Sequence, residues 1–93
     1  MTLFNYKDYL RLDDATYNDW EPFLQRQEEQ AMEHAKDLNP SLNASVDNSL
    51  LQRYCEEFIY LALYGEDING NLLKMHMNRM ANFEEQFRYG LGV

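Results

Sequence analysis

Apolar residues return at helical spacing in one short and three longer stretches of the chain. The short one is Asn5–Leu12. Asn5 with Asp8 three positions on approximates a capping box, and Phe4, Tyr9, Leu10 and Leu12 supply its apolar face. In the second stretch Trp20, Leu24, Ala31, Ala35 and Leu38 share one helical face with Phe23 beside them, opposite Gln25, Arg26, Glu29, Glu33 and Lys36. Thr16, Asn18 and Asp19 are the candidate caps. Proline is tolerated in the first turn, where N–H groups lack partners, so Pro22 predicts a start close to Asn18 or Asp19. Asn39-Pro40 ends this helix, and a loop follows to Val46.

The third stretch runs from Asp47 or Asn48 to Tyr64. Leu51, Cys55, Phe58 and Ala62 form its stripe, widened by Leu50, Tyr54, Ile59, Leu61 and Leu63. A helix apolar on most sides sits centrally in its bundle, and Gly65 is placed to be its C′ residue. The fourth covers Leu72–Tyr89 with Leu73, Met77, Met80, Phe83 or Glu84, and Phe87 as its stripe; Gly90 stops it and leaves a tail. No stretch alternates apolar and polar positions long enough for a strand. The expected fold is all-α: a small bundle of one short and three longer helices, a single domain over 1–93, with a short tail at 90–93.

Composition narrows the classes. A chain of 93 residues is too short for a doubly wound sheet or a (β/α)₈ barrel. Its 16 acidic and 8 basic residues leave a net charge of −8, which repels phosphate backbones and anionic lipid. One cysteine forms no internal disulfide. The opening MTLFNYKDYLRLDD is too polar for a secretion signal, so the sequon at Asn43 reads as chance, and no apolar run reaches a membrane span.

Catalytic and metal chemistry find little support. Asp67-Ile68-Asn69-Gly70-Asn71 resembles a calcium loop, but counted from Asp67 the sixth position is Leu72 and the twelfth Asn78, where glycine and glutamate are required. Met75, His76 and Met77 are adjacent on a helix and point in different directions, so they form no metal site. Cys55 lies on the most apolar helix beside Glu56 and reads as buried and inert. The pairs Asp13-Asp14, Glu28-Glu29, Glu56-Glu57 and Glu84-Glu85 read mostly as solvated faces. No phosphate loop or nucleophile motif is present. The expectation is a non-enzyme without catalytic residues, metal, cofactor or small-molecule substrate.

Aromatic residues remain. Seven tyrosines, five phenylalanines and one tryptophan are many for this length. Tyr6, Tyr17, Tyr60, Tyr64 and Tyr89 exceed what a small core needs and read as interface residues.

Lys7-Asp8-Tyr9-Leu10-Arg11-Leu12-Asp13-Asp14, followed by a long amphipathic helix, resembles the opening of the helical head–tail connector (adaptor) proteins of tailed bacteriophages. Asn48-Ser49-Leu50-Leu51 through Leu61-Ala62-Leu63-Tyr64-Gly65-Glu66 is similar to that family's second long helix, although Gly65 separates a Tyr-Glu-type pair here. The methionine-rich last helix also departs from the family pattern.

The resemblance implies a homo-oligomeric ring beneath the portal that extends the DNA channel and docks a tail or stopper protein. DNA would pass without specific binding. The location would be the virion neck, and the host cytoplasm during assembly. A terminus reaching the neighbouring ring makes Tyr89, Leu91 and Val93 candidate partner contacts, with Tyr60 and Tyr64 as further ones. Acidic channel walls suit such a role, because phosphates are repelled rather than held. The alternatives are a small acidic inhibitor that mimics nucleic acid and blocks a nucleic-acid-binding protein, and a regulatory or toxin-neutralising helical module.

Overall fold

The described residues form four helices: α1 (Tyr6–Leu10), α2 (Asp14–Leu38), α3 (Ser49–Tyr64) and α4 (Gly70–Arg88). They are seen in a computed structural model, which describes residues 1–91. Val93, named above as a partner contact, lies outside the described residues. Asparagine and aspartate begin every helix. Asn5, Asp13, Asn48 and Asn69 each accept a hydrogen bond from the backbone N–H three residues on, satisfying a donor the helix cannot.

Helix α2 starts four to five residues earlier than Pro22 suggests. Arg11 takes a left-handed conformation (φ 56°) that ends α1 at Leu10, short of the expected Leu12. The turn presents Asp13, which caps α2 through the Thr16 N–H. Pro22 therefore sits inside the helix, on its outer exposed side. It donates no hydrogen bond to the carbonyl one turn back, and the long helix absorbs that loss. Helix α4 likewise begins before Leu72, because Asn69 caps it at Gly70. Gly65 follows α3 in right-handed geometry (φ −59°) instead of the left-handed C′ geometry, whereas Gly90 (φ 87°) does end α4 in the left-handed region that favours glycine.

Helix α3 is the central element, packed against both α2 and α4, with α1 held on α2. Leu24, Ala31 and Ala35 of α2 meet Leu51, Tyr54, Cys55 and Ile59 of α3, and Phe87 closes the core from α4. The Phe87 ring stands edge-on to Tyr54 at 5.4 Å. Phe58 is half-buried and Ala62 exposed, so the stripe drawn through them is rotated from the true one toward Tyr54 and Ile59. Tyr6 is fully buried and leaves the set of surplus interface aromatics. Met77, assigned to the α4 stripe, is 56% exposed. Of α4 only Phe87 is buried; Met80 and Phe83 pack against the core half-buried, and Leu72, Met75 and Met77 are exposed. The molecule is flattened, 38 × 32 × 17 Å.

Candidate interaction surface

The acidic pairs determine much of the local geometry. Neighbours on a helix point about 100° apart, so one member of a pair can turn inward while the other stays in water. Glu28 is buried and accepts from the Leu3 N–H at 2.7 Å, the Phe4 N–H at 3.2 Å and the Tyr6 hydroxyl at 2.5 Å. It pins the N-terminal segment, and with it α1, onto α2. Glu84 accepts from the Tyr54 hydroxyl at 3.1 Å and lies 3.2 Å from His34 Nε2. Glu57 is buried against His76, whose Nδ1 donates to it. The pairs at 28, 56 and 84 are therefore not simply solvated: one carboxylate of each is structural.

Burial and these carboxylates disfavour further negative charge in the core. Desolvation, then the nearby Cys55 and Glu28, pushes the Tyr6 hydroxyl far above its ordinary range. Desolvation and Glu84 raise that of Tyr54. Desolvation and Glu28 push the Cys55 thiol up to about 12. Cys55 is fully buried and protonated, the opposite of an activated nucleophile.

The exposed features gather along α3 and α4. Tyr60 and Tyr64 lie with their ring centroids 5.1 Å apart, and Tyr60 stacks on His76 at 4.6 Å. Both tyrosines are half-buried. Glu57, the partner of His76, also lines a cavity of about 290 Å³ with Tyr9, Arg53, Glu56, Arg79 and Phe83. Desolvation together with Glu57 and Glu56 pushes the Tyr9 hydroxyl up to about 12, and desolvation raises the Glu56 carboxyl. Arg53 reaches a second cavity, of about 400 Å³, that Gln86 and Leu91 also line. Arg53 thus joins the two cavities. Tyr89 is 80% exposed and Leu91 54%, past the end of α4. The sequence reading missed Tyr9, Arg53 and Arg79, whose convergence depends on how α1, α3 and α4 cross. It also missed Glu28, which a solvated-face pattern conceals.

Among the described residues, no three or more His, Cys, Asp or Glu side chains come together as a metal-binding group. No helix among the described residues is long and apolar enough to cross a membrane. No protein-family model matches the chain, and no curated protein or solved structure matches it.

Proposed function

We propose that this chain is an assembly subunit of the head–tail connector kind: one copy of a ring below a phage portal, extending the DNA channel and docking the tail. The observation that supports the reading best is the pair of unlike surfaces on so small a bundle. Along α3 and α4 runs an aromatic and methionine-bearing surface that ends in exposed Tyr89 and Leu91. On α2, exposed Glu29, Glu33 and Asp37 follow one another a turn apart. A closed ring needs two different, mutually complementary patches per copy, and an acidic wall lets DNA pass without holding it. The sequence resemblance points the same way.

A second reading, the acidic inhibitor of a nucleic-acid-binding protein, draws on the same α2 carboxylates as a phosphate mimic. Native mass over a range of concentrations, with negative-stain imaging of large species and a pull-down from phage-infected cells, separates the two. A ring of many copies, or capture of a portal, supports the connector. A monomer or dimer that captures a nucleic-acid-binding enzyme overturns it in favour of the inhibitor.

A further inference from the structure

The distribution of charge along the helices is uneven. From Gly70 to Phe83 there is no acidic residue, in a chain with 16 of them; Lys74, His76 and Arg79 lie in that stretch. Leu72, Met75 and Arg79 fall at i, i+3 and i+7, on one flank of α4. Leu72 is 42% and Met75 40% exposed, so this flank is apolar surface with a cation at its end. Arg79 lines the cavity that it shares with Arg53 and the Tyr9 ring. Within the cavity Glu57 is engaged by His76 and Glu56 accepts from Gln52 Nε2 at 3.3 Å. Neither Arg53 nor Arg79 has an ion pair among the described residues. Two planar, always-charged donor groups are thereby left for an incoming carboxylate.

Helix α2 has the complementary character. It holds seven acidic residues against Arg26 and Lys36. Glu29, Glu33 and Asp37 stand at successive i, i+4 positions on its exposed side, where like charges repel one another. Glu33 and Asp37 have no ion pair among the described residues. A basic surface laid over them converts that repulsion into attraction.

We infer that the Leu72–Met75–Arg79 flank of α4, with Arg53, docks onto the Glu29–Glu33–Asp37 face of α2 in a second copy of this chain. The inference rests on the connector reading and deepens it, since it names the two patches that join one subunit to the next. The contact is head-to-tail: each copy offers its α4 flank to one neighbour and its α2 face to the other. Leu72 and Met75 exclude water, and the arginines set register against the carboxylates.

The test uses the full chain in sedimentation-velocity and native-mass measurements at low and high salt. One variant is Arg79→Glu and the other is Glu33→Lys with Asp37→Lys; all three positions are exposed, and circular dichroism checks that each variant folds. Wild type should self-associate, and salt should weaken the association. Each variant alone should associate roughly tenfold or more weakly. An equimolar mixture of the two should associate again, because each retains the face that the other has lost. If wild type forms large species and Arg79→Glu leaves them unchanged, the docking assignment is overturned and the connector reading stands. If only the α4 variant loses association, the contact is face-to-face between two α4 helices and the assignment is wrong. Salt-sensitive pairing that mixing restores, without any closed ring, would keep the docking contact and remove the connector. A wild type that is monomeric at every concentration overturns the docking contact, and the connector reading then stands or falls on capture of a portal.

Discussion

Glu28 shows how much one residue decides. It is flanked by Gln27 and Glu29 on an otherwise polar stretch, yet it is the acceptor for two backbone N–H groups and one hydroxyl that the core would otherwise leave unmade. Glu28→Ala should destabilise the fold by about 2–4 kcal/mol in urea denaturation, since two buried donors and one part-buried donor lose their partner. A loss below about 0.5 kcal/mol, the size of an ordinary surface change, would show that the N-terminal segment is not held this way. The Cys55 thiol makes a separate statement about pH. Folded, it keeps its proton up to about 12, whereas its ordinary value is 9.0. Between those values the unfolded chain binds fewer protons, so stability falls as pH rises above 9.0. Urea midpoints should therefore decline through that window, and Cys55→Ala should decline less steeply. Parallel curves for the two proteins would remove Cys55 as a cause.

At the scale of the element, apolar periodicity was the most legible feature and helix starts the least. Asn5 and Asn48 are recognisable ahead of apolar periodicity, whereas Asn69 lay outside a helix expected from Leu72. Asp13 was passed over because Pro22 pointed further along. The structure places Pro22 in the body of α2, where proline costs a hydrogen bond and crowds the turn before it. Pro22→Ala should accordingly raise stability by about 1–2 kcal/mol, the interior penalty reduced by the greater freedom of the unfolded chain. If α2 began at Asn18, the same change would be neutral or harmful. A thermal melt of this one variant distinguishes the two helix starts. Helix α4 teaches the complementary lesson. Its apolar spacing predicts a helix, and a helix forms, but spacing alone does not say how much of the apolar surface is covered. Phe87 is buried, whereas Leu72, Met75 and Met77 are not.

For the whole molecule, the flattened bundle leaves α2 and α4 each with an outward surface of distinct chemistry. Tyr89 and Leu91 contribute to assembly in the proposed function while lying outside the core. Tyr89→Ser with Leu91→Ser should leave the melting temperature within a few degrees of wild type, since a change of about 0.5 kcal/mol or less is typical of surface positions. The same variant should lose capture of the portal or tail partner. A large drop in melting temperature would instead mean that this end of α4 holds the fold together.

The sequence by itself determined the helical class, the number of helices, the caps of α1 and α3 and the central place of α3. These follow from apolar periodicity and from side chains that satisfy neighbouring backbone donors, interactions that reach only a few residues. The tertiary structure decided which carboxylate turns inward in the pairs at 28, 56 and 84, that Tyr6 is core and Met77 is not, and that Tyr9, Arg53 and Arg79 meet at one cavity. Those outcomes depend on the angles at which the helices cross and the direction in which α1 is pinned. Residues far apart in the chain set both through their packing, and a one-dimensional pattern does not contain that information.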